Sequence, residues 1–258
     1  MKSWLESLLI ALSMYSALPV KCMNWTNRNL RHALVFFPLI GVICMAALAL
    51  LWVICSYIKI GSVLFGVLAV CIMAFVTGGI HLDGFCDTAD ALFSRRSQEE
   101  KLRILKDPNC GPFAVFSVIL ALMVLAGSFS EIFSDFDVSI MGLVGGGFVI
   151  SRCMNGFAQT TLKCTPTSSL AKTFGSNAAK SVSYIIAAEF IIVSALLILY
   201  YGYISILLIA SALVVYLLFY RMQKKQFGGL TGDLVGFMLV ICETVWCLII
   251  AAFGGVIL

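Results

Sequence analysis

Charge is what this chain has least of. Asp, Glu, Lys and Arg make up 12% of its 258 residues, about half the share found in soluble domains. So little charge cannot cover a water-facing surface, and a mean hydropathy of +1.05 excludes a soluble protein with a large core. The net charge of +4 is modest, and no nucleic acid is expected as a partner. Histidine occurs twice, and none of the ten cysteines stands in a CxxC pair or at a Cys/His metal spacing. That argues against a zinc-type site and a disulfide framework. Cys44, Cys55, Cys71, Cys153, Cys242 and Cys247 lie in apolar runs and read as small hydrophobes. With no internal repeat and no linker, residues 1–258 read as one integral-membrane domain.

Apolar runs fill most of the rest. Seven approach the roughly 20 residues that cross a bilayer: about 33–55, 61–80, 110–133, 138–160, 181–200, 203–220 and 234–257. Before them, Trp4, Leu5, Leu8, Leu9 and Leu12 form an apolar helical stripe ending near Pro19. Glu6 interrupts it and no Ala-x-Ala site follows, so an interfacial helix is expected rather than a cleaved signal. The fold class is all-α: a polytopic bundle of about seven transmembrane helices plus an N-terminal interfacial helix. The gap at Tyr201-Gly202 demands a tight helical hairpin between runs five and six.

The scarce charges are unevenly placed. Of 17 Lys and Arg, only Lys59 falls in the gaps 56–60, 134–137 and 201–202, and Arg152 sits within a run. The others fall on the side of 21–32, 81–109, 161–180 and 221–233. The positive-inside rule makes that side cytoplasmic.

On that side stands the one regular acidic cluster. Asp83, Asp87 and Asp90 lie at i, i+4 and i+7 after Gly78-Gly79, so on a helix the three carboxylates share a face. Their repulsion suits a hard cation such as Mg²⁺, which takes oxygen ligands; the plainer alternative is a solvated acidic face. Downstream, Ser97 and Glu100 fit a capping box for a short surface helix running to Pro108. The basic residues Arg95, Arg96, Lys101, Arg103 and Lys106 around it suit anionic lipid heads or substrate phosphates equally.

Two further features carry polar groups to the membrane. Phe227-Gly228-Gly229-Leu230-Thr231-Gly232-Asp233 delivers another carboxylate at a boundary, its backbone amides suited to phosphate or simply to a turn. Glu243, ten residues on, falls near mid-membrane. It either pairs with Arg152 or lines a polar cavity reaching inward from the cytoplasmic face. The glycines 142, 145, 146 and 147 read as a helix-packing surface.

Gly78-Gly79-Ile80-His81-Leu82-Asp83-Gly84-Phe85-Cys86-Asp87-Thr88-Ala89-Asp90-Ala91-Leu92 resembles the signature of the cobalamin synthase family, the adenosylcobinamide-GDP ribazoletransferases. The resemblance extends through 37–41, 106–114, Ile150-Ser151-Arg152, 229–236 and Glu243, in family order. Ala91 and Cys86 depart from it by small-for-small changes, and 163–177 matches only loosely. The resemblance implies a Mg²⁺-dependent enzyme of the cytoplasmic (inner) membrane. A hydroxyl of α-ribazole or its 5′-phosphate attacks the cobinamide-side phosphorus of adenosylcobinamide-GDP, releasing GMP and forming cobalamin or its phosphate. It implies Asp83, Asp87 and Asp90 as Mg²⁺ ligands, with Asp233 in the same site. Arg95, Arg96, Lys101 and Lys106 would face the GDP phosphates, joined in substrate binding by Arg152, Gly229 and Thr231. His81 stands as base, phosphate-orienting group or structural histidine. A membrane-embedded phosphotransferase of the CDP-alcohol class also uses an aspartate stripe, but Cys86-Asp87 stands where its Ala-Arg would be. A divalent-cation transporter would spread carboxylates deep in several spans. Membrane lipids are expected neighbours, and an oligomer is compatible with the sequence.

The charge asymmetry has a direct test. In a background without native cysteines, single cysteines near Ser94 and Gln226 are expected to be shielded from an impermeant thiol reagent in intact cells. One near Asp135 should be labelled. The reverse pattern inverts the topology.

Overall fold

The computed structural model describes residues 2–20, 25–165, 178 and 181–257. Residues 166–177 of the loosely matching stretch 163–177 and residues 21–24 of the basic stretch 21–32 lie outside them. Eleven α-helices are named here: α1 (Lys2–Tyr15), α2 (Asn27–Leu30), α3 (Phe37–Tyr57), α4 (Ser62–Thr77), α5 (Ile80–Phe93) and α6 (Gln98–Ile104), then α7 (Pro112–Asp135), α8 (Met141–Thr161), α9 (Ser181–Tyr201), α10 (Tyr203–Gln226) and α11 (Gly232–Ile257). Among the described residues the sole strand-like pairing is one bridge, Cys164 with Leu230. The all-helical membrane bundle expected from composition is the fold observed.

Six of the expected spans are long apolar helices, and the second is not. In place of a straight run over 61–80, α4 stops at Thr77 and α5 leaves it at 99°. Sixteen residues rise about 24 Å, short of the roughly 30 Å hydrocarbon layer, so α4 and α5 together take one crossing's place. The bend has a local cause. Gly78 and Gly79 both take left-handed backbone, φ 64° and 73°. The Gly79 N–H donates to the Ala74 carbonyl (3.0 Å) and the Gly78 N–H to the Phe75 carbonyl (3.2 Å), a Schellman close. Two consecutive left-handed residues end one helix and start another in a new direction, which side chains with a Cβ resist.

The hub is α8. In its most apolar stretch 83% of residues are buried, against 17% in α9, 22% in α7 and 28% in α10, so α7, α9 and α10 are the outward-facing helices. The glycines of α8 act as the packing surface expected of them: Met45, Leu197 and Trp246 fill the places that side chains at Gly145, Gly146 and Gly147 would take. Helices α3 and α9 pack on α8, α4 packs along α7, and α11 packs most closely on α5. The N-terminal helix α1 buries Ile10 and Ala11 and leaves Trp4 and Leu5 outward. Trp4 stacks on His32 at 4.3 Å, fastening α1 to the entry of α3 in the manner of an interfacial helix.

One ion pair crosses the middle of the bundle. Arg152 of α8, fully buried, donates through Nη1 to Oε1 of Glu243 on α11 (2.6 Å) and to the Phe148 carbonyl (2.8 Å). Ser151 Oγ donates to the same Glu243 oxygen (3.0 Å). In a low-dielectric interior, removing one partner strands a charge and costs about 3–5 kcal/mol. Arg152→Met and Glu243→Gln are each expected to lower Tm sharply in detergent. The double Arg152→Met/Glu243→Met protein should regain much of the loss, read by thermal unfolding of all three.

Candidate active site

Helix α5 carries the three aspartates on one face, and the rest of the site is brought to it. Asp83 is exposed, while Asp87 and Asp90 are half-buried. The Asp90 carboxylate fills the place that a side chain at Gly111 would take, at the N-cap of α7. The connection that brings Gly111 there is a turn held by Asp107. Its Oδ1 accepts from the Asn109 backbone N–H (2.9 Å) and side-chain Nδ2 (2.8 Å), and these bonds hold the Asp107 carboxyl below its usual range. Ahead of the turn, the capping box forms as expected. Ser97 Oγ accepts from the Glu100 N–H and Glu100 Oε2 accepts from the Ser97 N–H. The short helix stops at Ile104, ahead of Pro108.

The fourth carboxylate arrives from the far end of the chain. Asp233 lies in the first turn of α11, where α5 and α11 nearly touch. A Cβ on Gly84 would stand 2.8 Å from the Asp233 carbonyl oxygen and 2.9 Å from its Cα; one on Gly236 would stand 2.9 Å from the His81 carbonyl oxygen. Only two glycines facing each other allow this approach. As a result the charges of Asp83, Asp233 and Asp90 all bear on Asp87. The α5–α11 crossing therefore brings Asp233 close to the aspartate stripe.

The donor set is four carboxylates, hard oxygen ligands of the kind Mg²⁺ takes, and their mutual repulsion calls for positive charge among them. Among the described residues no three His, Cys, Asp or Glu side chains converge to ligating distance. The residues fit a hard divalent ion by type and charge, with the side chains fanned rather than closed.

Several other expected site residues are elsewhere. His81 is buried on the opposite face of α5, its ring 6.3 Å from that of Tyr15 and 5.8 Å from that of Phe37. Two residues along a helix turn a side chain through about 200°, so a histidine two before Asp83 faces away from the carboxylates. Arg152 is committed to Glu243 and lies inside the bundle rather than at the aspartates. Of the two readings of Glu243 the pair is the one observed; beside it Thr77, His81, Arg152 and Glu243, with mostly apolar neighbours, line a small void of about 40 Å³, room for a water molecule. Thr231 caps α11, its Oγ1 accepting from the Leu234 N–H (3.3 Å). Gly229 serves backbone approach. The Leu230 N–H donates to the Lys163 carbonyl (2.9 Å) and the Thr165 N–H to the Leu230 carbonyl (3.0 Å), and a Cβ at Gly229 would sit 2.9 Å from that strand. Both residues lie just ahead of Asp233 and help fix where α11 starts.

The basic residues divide. Arg96 pairs with Glu100 (3.6 Å), and Lys101 is buried with its ammonium on the Gln226 side-chain carbonyl. Arg95 and Lys106 are exposed. Sequence reasoning missed Gly84, Gly236 and Gly111 as the residues that assemble the site. Their signal was present in two glycines inside otherwise regular helical patterns and one ahead of Pro112.

Comparison with known proteins finds relatives over nearly the whole chain. The family model described as cobalamin-5-phosphate synthase matches residues 7–251. A protein of Lachnoclostridium phytofermentans named adenosylcobinamide-GDP ribazoletransferase is 33% identical over 256 residues, covering 99% of this chain and 97% of its own. One of the same name from Clostridium perfringens is 33% identical over 245 residues, 94% of this chain and 96% of its own. Another, from Acinetobacter baumannii, is 31% identical over 240 residues, 92% and 93% of the two chains. No solved structure matches the chain.

The close crossing is open to a simple test. Gly84→Ala forces α11 off α5, an overpacking cost of about 1–3 kcal/mol, and should lower Tm by several degrees. Gly127→Ala on α7, where a Cβ would meet nothing within 4 Å, should leave Tm unchanged. Equal shifts would mean that the crossing tolerates a methyl group.

Proposed function

The chain belongs to the cobalamin-5-phosphate synthase family, and from that premise we propose that it is an adenosylcobinamide-GDP ribazoletransferase working at the α5–α11 carboxylates. It joins adenosylcobinamide-GDP to α-ribazole, or to α-ribazole 5′-phosphate, and releases GMP. The product is adenosylcobalamin or its 5′-phosphate. The observation that carries the reading is that a family match over nearly the whole chain coincides with four carboxylates gathered from two distant parts of it. The protein is a transferase of a multi-pass membrane bundle. Its placement in the cytoplasmic membrane, with the site on the cytoplasmic side, is supported by the Lys/Arg asymmetry.

In the reaction a ribazole hydroxyl attacks the cobinamide-side phosphorus, and the bond to the GMP oxygen breaks. Asp83, Asp87 and Asp90 are the residues to hold Mg²⁺, with Asp233 across from them. When bound, that ion supplies neutralisation of the nonbridging oxygens and of the departing GMP. Four carboxylates alone would repel a diphosphate, so Asp83, Asp87, Asp90 and Asp233 would need a cation among them before substrate could approach. The α11 N-terminus adds its dipole on the carboxylate side. The hydroxyl proton has a carboxylate acceptor in the cluster, whereas His81 faces away and serves the packing of α5 against α1 and α3. Arg95 and Lys106 are the exposed cations for substrate phosphates.

The test is GMP release by purified protein given adenosylcobinamide-GDP, α-ribazole and Mg²⁺, with release abolished by a chelator. Asp83→Asn, Asp87→Asn and Asp90→Asn should each remove most of the turnover, and a second change should add little, because groups acting as a unit are non-additive. Raised Mg²⁺ should partly restore the single variants. Asp233→Asn should lower turnover by orders of magnitude with membrane levels unchanged. Multiplicative losses with unaltered Mg²⁺ dependence would remove the shared metal site.

A further inference from the structure

Beside the carboxylates runs a groove of about 780 Å³ between α5, α7 and α11. Its volume falls within the range of small-molecule sites, about 300–1,000 Å³. Five phenylalanines dominate its lining: Phe85, Phe93, Phe113, Phe116 and Phe237. Phe85 and Phe237 stack on each other at 5.2 Å with 12° between planes; Phe85 is buried and Phe237, half-buried, is the ring left at the floor of the groove. Phe93, Phe113 and Phe116 are 49%, 46% and 64% exposed, so these walls stand open. Aromatic rings in this number suit a flat π-system better than a flexible acyl chain, because stacking and edge contacts add to simple area burial.

One end of the groove is polar and charged. Ser94 and Arg95 close it there. Among the described residues, the Arg95 side chain makes no hydrogen bond or ion pair, while its neighbours Arg96 and Lys101 are committed to Glu100 and Gln226. Arg95 also holds a left-handed backbone, φ 54°, a conformation that costs a non-glycine residue about 1–2 kcal/mol and that tends to persist where function requires it. The same end abuts the reaction centre. Asp90 and Phe93 are i,i+3 neighbours on α5, about 5–6 Å apart at Cβ, and Phe113 lies two residues beyond the Gly111 against which Asp90 rests.

An apolar aromatic slot, a free guanidinium at its end and the Asp90 carboxylate one helical turn from Phe93 suit a particular kind of molecule. It carries a flat uncharged aromatic base, a sugar bearing the reacting hydroxyl, and a phosphate. We propose that this groove seats the lower-ligand base of the ribazole substrate, with Arg95 holding its 5′-phosphate and the ribose directed at the Asp90 end. The assignment rests on the ribazole-transfer reading above and adds to it where the acceptor sits and which side chains select it. Ring faces on floor and walls admit aromatic bases of different outline, and Arg95 favours the phosphorylated acceptor over the free nucleoside.

The test measures binding rather than turnover, so that it stands apart from the reaction. Equilibrium dialysis of α-ribazole and of α-ribazole 5′-phosphate against the full-length protein in lipid nanodiscs gives Kd for each. Phe116→Ala, at an exposed position, and Phe113→Ala are each expected to raise Kd for both ligands about tenfold, the loss of one good aromatic contact. Arg95→Gln is expected to shrink the preference for the phosphate over the nucleoside by about tenfold. Failure of the wild-type protein to bind α-ribazole overturns the proposal. So do unchanged Kd values in both Phe variants, or loss of a co-purifying phospholipid in them with Kd unchanged, which would make the groove a lipid site. Binding that responds as expected without any GMP release would leave the groove standing and overturn the reaction assigned to it.

Discussion

Two helices meeting at two glycines is the contact on which the site depends. Gly84 of α5 and Gly236 of α11 let the backbones approach to the point where a single Cβ would collide with a carbonyl. That approach places Asp233 beside a stripe of aspartates about 150 residues earlier in the chain. In most helix pairs a contact this close is favoured by dispersion and packing. Here it also opposes the repulsion of four carboxylates, and glycines rather than larger side chains make the geometry available.

The surrounding structure holds that crossing in place. The Gly78-Gly79 bend aims α5 at α11 rather than along α4. The Thr231 cap and the short bridge to residues 163–165 fix where α11 starts. Deeper in the bundle, Arg152 and Glu243 tie α11 to the hub helix α8 at low dielectric, where such a pair tolerates little displacement. A stiff core below and a charged cluster at its end are consistent with one another: ligand groups hold their geometry only when their helices do.

Many polar residues that resemble binding groups in the sequence turn out to be spoken for. Arg152, Thr231, Lys101 and Arg96 each have a partner within the protein, and Gly229 serves a backbone contact. In an apolar medium an unpartnered polar group is expensive, so a polar side chain near a membrane boundary is recruited by the nearest acceptor or donor first. What is left over, exposed cations such as Arg95 and Lys106 and the carboxylate face, is the better guide to where substrate binds.

The sequence alone determined the membrane class, the expected span positions save one, the interfacial first helix and the aspartate face of α5. These depend on composition and on periodicities of a few residues, and local physics decides them. The pattern Gly78 to Leu92 identified the family for the same reason, since its spacing is a property of one helix. Only the tertiary structure decided that the second crossing is broken at Gly78-Gly79, that His81 turns away from the carboxylates, and that Arg152 serves Glu243. It also brought Asp90 to Gly111 and Asp233 to Gly84. Each of these joins residues by a contact between helices, and such a contact depends on how close two backbones can come. That distance is set by what stands on the facing surface of another element, far away in the chain, which no local spacing encodes.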